Sequence, residues 1–343
     1  MILVDIGIFA HNESAGIRAM LRNLLVQELF RDSAFDVHLH VLANGCNDAT
    51  VAEAQQAISE QGATIHTTVH NLPEGGKSRT WNRFVHDISR PEAETLAFLD
   101  ADIYIPQPHM LRDLCNFLLT SPNLSGVSSR PVKDIIHDAS MQNGYRDKLI
   151  AAATGTLNDW KRSIAGSLYL LRSDIARSFH MPIGLPCEDG FARAMVQTHN
   201  FSQEGAPEIY LDGRDEIFHI YASERSINAL IHHQTRLVIG SAINAVIYAR
   251  LRSLSNECRM KELEESAKNP EWLPSLLNKK LPQLSYGYVP THFLFKRVQY
   301  WIKSPNKLNP KRISVTAAGF IFDATVYIFA QFKMWRGAGA GHW

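Results

Sequence analysis

The sequence predicts an α/β fold in which a mostly parallel sheet is flanked by helices and followed by a mainly helical C-terminal extension. Two observations predict the sheet: strand and helix patterns alternate over the first hundred residues, and a polar cluster follows each strand. A third observation predicts the extension, because residues 313–332 form one long apolar run of helical length. At 343 residues the chain is long enough to bury a substantial core.

The first part of the chain repeats a unit of strand, turn and helix. The predicted strands cover residues 2–9, 37–41, 65–69 and 95–99. Apolar residues at helical spacing follow each of the first three strands, and Asn12 or Ser14 is expected to cap the first helix. Strands that alternate with helices pair in parallel and are covered on both faces.

Polar side chains stand where each predicted strand ends. In parallel sheets, ligands bind beyond the carboxyl ends of the strands. The residues expected at this edge are Glu13, Asn44, Asp48, Lys77, Asp100 and Asp102. Beyond residue 105 the pattern loosens into a helix over 111–119, a strand over 166–171 and a helix after residues 188–189. We predict that this second part covers the site.

Two acidic pairs carry the candidate chemistry. Asp100 and Asp102 are separated by one residue directly after an apolar strand, and hard cations such as Mg²⁺ or Mn²⁺ prefer such carboxylate oxygens. The alternative is a pair of solvated loop acids. Glu188 and Asp189 open an amphipathic helix, where they either cap the helix or supply a general base. Adjacent residues point in different directions, and we favour Asp189 as the base.

In their order and approximate spacing, these residues resemble a family 2 glycosyltransferase of the GT-A type, a Rossmann-like fold. The resemblance covers roughly the first 240 residues. The motifs that carry the resemblance are Asn12-Glu13 after the first strand, residues 44–50 after the second strand, Asp100 and Asp102, and Glu188-Asp189. Residues 76–82 also carry it, because they are similar to the family's Gly-Lys-x-x-Ala-Leu-Asn segment.

This resemblance implies metal-assisted, inverting transfer of a sugar from a nucleotide-diphosphate sugar to a hydroxyl. The implied nucleotide-sugar contacts are Asn12, Glu13, Asn44, Asp48, Lys77 and Asp100. The implied ligands of Mn²⁺ or Mg²⁺ are Asp102 and Asp100, and Glu188 is expected to contact sugar hydroxyls beside the base Asp189. The predicted domains are residues 1–250, with a nucleotide-binding half over 1–103 and an acceptor-side half over 104–250, and a C-terminal extension over 251–343.

Departures from the family pattern refine these expectations. Many members carry an acid where Asn44 stands, so the nucleotide base stays open. Processive members show Gln-x-x-Arg-Trp, whereas this chain has only residues 233–237, His-Gln-Thr-Arg-Leu, which indicates non-processive transfer. Arg236 is expected either to neutralise the departing diphosphate or to lie on a polar helix face. Some relatives use a histidine as a further metal ligand, for which His219 is preferred over His232 or His233; the alternative is a structural histidine.

The C-terminal extension combines basic and aromatic residues. Residues 272–322 contain eight Lys or Arg and no acid, at positions 279, 280, 296, 297, 303, 307, 311 and 312. This mixture suits an anionic lipid surface, and no nucleic-acid partner is expected because no binding motif accompanies the charges. Asp323 makes it costly for the 313–332 segment to span a membrane. We therefore expect an interfacial or packed helix, with a buried structural helix as the alternative.

Localisation and competing functions follow from simple features. Four cysteines without a CxxC pair and an N-terminus without a signal-peptide pattern predict a cytoplasmic protein, peripheral at the inner face of the membrane. The acceptor is expected to be lipid-linked or a saccharide, as in glycolipid or surface-polysaccharide synthesis. The alternatives are a sugar-phosphate nucleotidyltransferase, which normally has a glycine-rich loop where residues 9–13 stand, and a catalytically inactive sugar-nucleotide-binding protein. No G-x-G-x-x-G follows an early strand, which disfavours a dinucleotide oxidoreductase.

Overall fold

The computed structural model describes residues 1–61, 65–138, 140, 160–202, 210–282, 284, 286–303 and 310–337. Within these residues there are ten strands: β1 Ile2–Ala10, β2 Phe35–Asn44, β3 His66–Leu72, β4 Thr95–Asp100, β5 Ile103–Tyr104, β6 Gly126–Ser128, β7 Arg130–Lys133, β8 Leu168–Arg172, β9 Leu211–Asp212 and β10 Phe218–Tyr221.

Twelve α-helices accompany these strands in the described part of the chain. They are α1 Ile17–Leu25, α2 Thr50–Gln61, α3 Lys77–Asn82, α4 Met110–Leu119, α5 Asp134–His137, α6 Ser173–Arg177, α7 Glu188–Gln197, α8 Ile227–Arg252, α9 Asn256–Ser266, α10 Trp272–Lys280, α11 His292–Ile302 and α12 Pro310–Trp335. A π-helical turn, Arg83–Ile88, continues α3, and short 3₁₀ turns occupy Glu28–Arg31 and Trp160–Arg162.

Seven strands form the central sheet in the order β3-β2-β1-β4-β8-β6-β9. The predicted parallel half is confirmed, because β3, β2, β1 and β4 all run in the same direction. Strand β8 is antiparallel to both β4 and β6. The second half of the chain therefore extends the sheet as well as covering it, because the buried apolar residues of β8 pair with the free edge of β4. A second, smaller sheet has the order β5-β10-β7.

The two faces of the sheet bury separate cores. Alternate residues of β1 point to opposite faces, so Val4, Ile6 and Ile8 contact the core beneath α1, α2 and α4. On the other face, Phe9 joins the aromatic core formed with Phe84 and other large rings. Predicted strand and helix positions are thus confirmed for this half.

The predicted cap of the first helix is wrong. Helix α1 begins after Gly16, and no side chain caps it. Asn12 instead adopts a left-handed conformation, with φ of 56°, and its Oδ1 accepts a hydrogen bond of 2.9 Å from the Asn47 backbone N–H. Asparagine tolerates this conformation better than most residues, so it serves the turn at the end of β1.

The C-terminal helices α11 and α12 pack against each other, and α12 also packs against α8. Val326, Ala330 and Met334 of α12 are buried, whereas its opposite side is exposed and apolar. The helix is therefore packed along one face only. Among the described residues, Ile313–Trp335 is the one helix long and apolar enough to cross a membrane. Lys307 and the side chains of residues 311 and 312 lie outside the described part.

Asp323, the acid that makes it costly for this segment to span a membrane, forms an ion pair within the protein. Asp323 accepts hydrogen bonds of 2.9 and 3.1 Å from Nε and Nη2 of Arg297 on α11. A side chain on Gly319 would collide with Arg297, since an added Cβ would lie 2.5 Å from its Cδ. The two helices are thus joined by a bidentate ion pair. The division of the chain near residue 250 stays a prediction, although α8 ends close by at Arg252.

Candidate active site

A cavity of about 820 Å³ opens at the carboxyl ends of β1, β2 and β4. Most of the predicted site residues line it: Glu13, Asn44, Lys77, Asp100, Asp102, Glu188, Asp189 and Arg236. Asn12, Asp48 and His219 do not line it. Strand ends, the start of α3, the start of α7 and one face of α8 therefore meet at one place.

Lys77 links the two acidic motifs. It follows Gly76, whose φ of 118° is a conformation that favours glycine. The Lys77 Nζ lies 2.6 Å from Asp100 Oδ1 and 3.1 Å from Glu188 Oε1, and it donates a hydrogen bond to the Gly166 carbonyl at 3.1 Å. Burial lowers the pKa of Lys77, but the charges of Asp100 and Glu188 outweigh it and raise the pKa above its usual value.

Negative charge accumulates beyond this lysine. Burial raises the pKa of Asp100 despite the neighbouring Lys77. Burial, followed by the charges of Asp102 and Asp100, also raises the pKa of Glu13. Asp102 is exposed at the cavity. Several carboxylates thus face one ammonium group, and a hard divalent cation is the kind of ligand that would relieve their repulsion. The donor set therefore fits Mg²⁺ or Mn²⁺.

Asp189 has the environment of a general base. Burial, followed by the adjacent charge of Glu188, raises its pKa to about 6. Its Oδ1 accepts a hydrogen bond of 2.7 Å from the Gly190 N–H. Gly166 lies directly against it, because an added Cβ at Gly166 would be 3.1 Å from Asp189 Cβ. Glu188 instead pairs with Lys77, so the two adjacent acids occupy different environments.

Three predicted nucleotide contacts shape the loops of the site. Asn44 is buried; its Nδ2 donates to the Ala10 carbonyl at 2.9 Å, and its Oδ1 accepts from the Gly76 N–H at 3.2 Å. Asp48 accepts hydrogen bonds from Thr50 and from the Ser14 N–H, and these bonds lower its pKa. With the Asn12–Asn47 bond, they fix the loops after β1 and β2.

His219 and His233, two of the candidate metal-binding histidines, have different surroundings in the structure. His219 is fully buried, with Nε2 2.7 Å from Ser167 Oγ and Nδ1 3.0 Å from Ser129 Oγ, and burial lowers its pKa to about 3. It lies behind Ser167, which lines the cavity. Both ring nitrogens contact hydroxyl groups, so its role as a metal ligand stays a prediction. His233, which was the less favoured candidate, lines the cavity itself.

A charged group from the second half of the chain was not predicted from the sequence. The Lys133 Nζ lies 2.7 Å from Glu224 Oε2, and His233 Nδ1 lies 3.5 Å from Glu224 Oε1. All three residues line the cavity. Lys133 ends β7 and Glu224 follows β10, so the end of a strand is again the signal, but these strands have only four residues each. Gly166 was missed too, because nothing local marks its contact with Asp189.

Comparison with protein families identifies the first half of the chain. Residues 4–161 match the model described as glycosyltransferase like family 2. Residues 4–161 are thus similar to a family 2 glycosyltransferase domain. The protein is therefore a glycosyltransferase, as the resemblance of its motifs predicted. The matched range includes Lys77, Asp100 and Asp102, whereas Glu188 and Asp189 lie beyond it. No curated protein matches the chain.

Two solved structures are similar to this chain to different degrees. The mannosyltransferase PcManGT from Pyrobaculum calidifontis, in complex with GDP-Man and Mn²⁺, is 16% identical with a TM-score of 0.56, covering 97% of this chain and 87% of that one. Glucosyl-3-phosphoglycerate synthase from Mycobacterium tuberculosis, in complex with Mn²⁺, UDP-glucose and phosphoglyceric acid, is 18% identical with a TM-score of 0.47, covering 70% and 77%. The first likeness confirms the predicted GT-A fold.

Proposed function

We propose that this glycosyltransferase moves a sugar from a nucleotide-diphosphate sugar to an acceptor hydroxyl, with inversion and in a single, non-processive step. The observation that carries the proposal is the meeting of two acidic motifs at one cavity. Asp100 and Asp102 lie on one side, Glu188 and Asp189 lie on the other, and Lys77 bridges them. This arrangement holds a charged donor and a proton acceptor next to the same reacting carbon.

The donor side is built to hold a diphosphate. Asp102 and Asp100 would hold Mg²⁺ or Mn²⁺, with His219 as the further predicted ligand. When bound, such an ion supplies positive charge that neutralises the leaving diphosphate. Arg236 lines the same cavity and adds a guanidinium group, whose geometry matches phosphate oxygens. Glu13 and the turns fixed by Asn12, Asn44 and Asp48 border the nucleotide. PcManGT binds the same chemical class of donor, GDP-Man, together with Mn²⁺.

On the acceptor side, Asp189 removes the proton. With a pKa of about 6 it is mostly ionised at neutral pH yet basic enough to accept a proton during attack. The acceptor oxygen forms a bond to the anomeric carbon as the bond from that carbon to the diphosphate oxygen breaks. The proton goes to Asp189, and the electron pair leaves with the nucleoside diphosphate. A single displacement of this kind inverts the configuration. Glu188, held by Lys77, is placed to contact sugar hydroxyls.

The exposed apolar side of α11 and α12 supports contact with a lipid surface. Large apolar side chains are concentrated there: Phe295, Ile302, Ile321, Ile328, Phe329, Phe332 and Trp335. Lys296 of α11 and Lys303, which directly follows α11, are exposed. Apolar side chains bordered by lysines suit the interface of an anionic membrane. We therefore place the enzyme in the cytoplasm, peripheral at the inner face of the membrane, with a lipid-linked or saccharide acceptor of glycolipid or surface-polysaccharide synthesis.

Donor binding is tested by thermal melting of the purified protein with UDP, GDP, dTDP and CMP, each with and without Mn²⁺. A ligand that binds the native state raises the Tm, so we expect a rise with one nucleotide that needs the metal. Nucleoside triphosphates and sugar phosphates are added to the same panel, and stabilisation by these ligands but not by the nucleotides above would favour a nucleotidyltransferase. No rise with any nucleotide would contradict the proposal.

Membrane contact is tested by sedimentation with vesicles. We expect binding to vesicles rich in phosphatidylglycerol and weak binding to phosphatidylcholine alone. The double variant Ile328→Ser, Phe332→Ser should lose it. The matched control, Ile136→Ser, removes an exposed apolar side chain far along the chain, on α5, and should bind as the wild type does. Equal binding by all three proteins would contradict the membrane assignment and leave the donor chemistry untouched.

A further inference from the structure

A cluster of histidines lies away from the cavity, near the other end of the sheet. His38 and His40 of β2 lie beside His66 and His70 of β3, and the strand register pairs Asp5 of β1 with His38 and His38 with His66. Paired residues of neighbouring strands project from the same face of a sheet. Asp5 is opposite Leu96 in β4, four residues before Asp100. At about 3.3 Å per residue, Asp5 lies roughly 13 Å from the level of Asp100, measured along the strand direction.

Three side chains in this cluster converge as metal ligands do. One ligand atom from each of Asp5, His38 and His40 lies within 4.8 Å of the others. His40 Nε2 is 3.5 Å from Asp5 Oδ2. In a tetrahedral zinc site with bonds of about 2.0–2.1 Å, two ligand atoms are roughly 3.3 Å apart. The observed separation thus leaves the space of one ion between them.

His40 Nε2 points into this space without a hydrogen-bond partner among the described residues. The His40 side chain is only 9% exposed, and at 3.5 Å its contact with Asp5 is too long for a good hydrogen bond. Its other nitrogen, Nδ1, lies 3.2 Å from His70 Nε2. If Nδ1 donates to His70, then Nε2 presents a lone pair to the space. Metal-bound histidines use their second nitrogen in this manner.

The carboxylate is oriented as well. Asp5 Oδ2 accepts a hydrogen bond of 2.6 Å from the Arg90 N–H, and Oδ1 accepts one of 2.7 Å from Arg90 Nε. Arg90 also pairs with Asp36, so two carboxylates face one guanidinium and the local charge is negative before any ion binds. His38 is partly exposed and gives access from solvent.

We propose that Asp5, His38 and His40 form a second metal site, distinct from Asp100 and Asp102, for Zn²⁺ or a similar late first-row divalent cation. Imidazole nitrogen and carboxylate oxygen form the donor set that such ions prefer over the all-oxygen set of Mg²⁺. The three ligands leave one position open to solvent. Bound there, the ion joins β1 to β2 and stabilises this end of the sheet. The inference stands independently of the proposed glycosyl transfer.

Cobalt substitution tests the site on full-length protein prepared without a polyhistidine tag and stripped with a chelator. Co²⁺ in a four-coordinate nitrogen and oxygen site absorbs strongly in the visible, whereas six-coordinate Co²⁺ on carboxylates absorbs weakly. We expect one strongly absorbing Co²⁺ per chain, displaced by Zn²⁺. His38→Asn should weaken Zn²⁺ binding about tenfold or more, measured by competition with a chromophoric chelator. His40→Gln should do the same, with its folding checked by circular dichroism.

Two controls separate this site from others. His66→Asn removes the ring that packs at a tilt against His38, with centroids 4.8 Å apart, but removes no proposed ligand, so it should bind Zn²⁺ as the wild type does. Asp102→Ala should leave the cobalt spectrum unchanged. The proposal is overturned if the wild type takes up no stoichiometric Co²⁺ of this spectrum, or if His38→Asn and His40→Gln both bind Zn²⁺ like the wild type. In either case the 3.5 Å contact is a weak histidine–carboxylate interaction only.

Discussion

Replacement of Asp189 by asparagine isolates the proton-accepting step. Asparagine has nearly the same size, and its carbonyl oxygen can accept the Gly190 N–H bond that Asp189 Oδ1 accepts at 2.7 Å. The fold and the donor site should therefore persist while the base is lost. Loss of a general base costs about 10²- to 10⁴-fold in kcat. Binding of the nucleotide and its metal should change little.

The stability of this variant has a predictable sign. Folding raises the pKa of Asp189 from 3.8 to about 6, so its charged form is less stable in the folded protein than in the unfolded chain. That cost is absent below the unfolded pKa and grows as the pH rises through this interval. Asp189→Asn removes it. At pH 7 the variant should therefore melt at the same temperature as the wild type or higher, with the advantage disappearing near pH 4.

The assay measures nucleoside diphosphate release with the identified donor and acceptor across pH. With a pKa of about 6, the ionised fraction of Asp189, and with it kcat, should fall about tenfold between pH 7 and pH 5. Glu188→Gln is the control, because it keeps the base but removes a charge that raises the pKa of Asp189, so the acid limb should move to lower pH. A wild-type kcat that stays constant down to pH 4.5 would contradict the assignment of Asp189 as the general base. An Asp189→Asn variant with more than a tenth of wild-type activity would contradict it too.

Three further substitutions test the surrounding contacts. Lys77→Met leaves Asp100 and Glu188 without their shared cation, so we expect loss of activity and a Tm below wild type at pH 8, with the deficit shrinking at pH 5 because burial raises the pKa of Asp100 and favours its protonated form. Gly166→Ala forces Asp189 to move by a few tenths of an ångström, so kcat should fall at least about tenfold with the Tm nearly unchanged. Arg90→Leu leaves the buried Asp5 unpaired and should cost about 3–5 kcal/mol in urea unfolding at pH 7. Burial raises the pKa of Asp5, but the nearby His40 ring and the hydrogen bonds from Arg90 outweigh burial and lower the pKa, so this loss should shrink as the pH falls below 4.

The sequence was most informative where local patterns are strong. The first four strands are long or fully buried, so their positions and the parallel direction in which they pair could be predicted from residues 2–99. Strands β6 and β9 have three and two residues, which is too few for a period to show. The antiparallel strand β8 was predicted as a strand, but its direction depends on the free edge of β4, a tertiary property that no local pattern contains.

The candidate site divides in the same way. Lys77, Asp100, Asp102, Glu188 and Asp189 were predicted from strand ends and a helix start, and all five line the cavity. The pairing of Lys77 with the second motif was not predicted, because the two segments are distant in sequence and meet only through the fold.

Order along the chain could not show the surroundings of the candidate histidines, and the choice between them stays a prediction. That order favoured His219, which is buried behind Ser167, over His233, which lines the cavity. Likewise, Asp323 seemed to be an isolated acid in an apolar segment until the structure placed Arg297, 26 residues away, against it. In both cases the deciding contact is made by residues from other elements.

The proposed glycosyl transfer depends most directly on a nucleotide site completed by a metal on Asp102. Isothermal titration calorimetry of the nucleoside diphosphate selected by the melting panel tests this, with and without Mn²⁺, on the wild type and on Asp102→Ala. We predict that Mn²⁺ strengthens nucleotide binding to the wild type at least about tenfold and leaves binding to Asp102→Ala unchanged. Equal strengthening in both proteins, or wild-type binding that does not respond to Mn²⁺, would contradict the account.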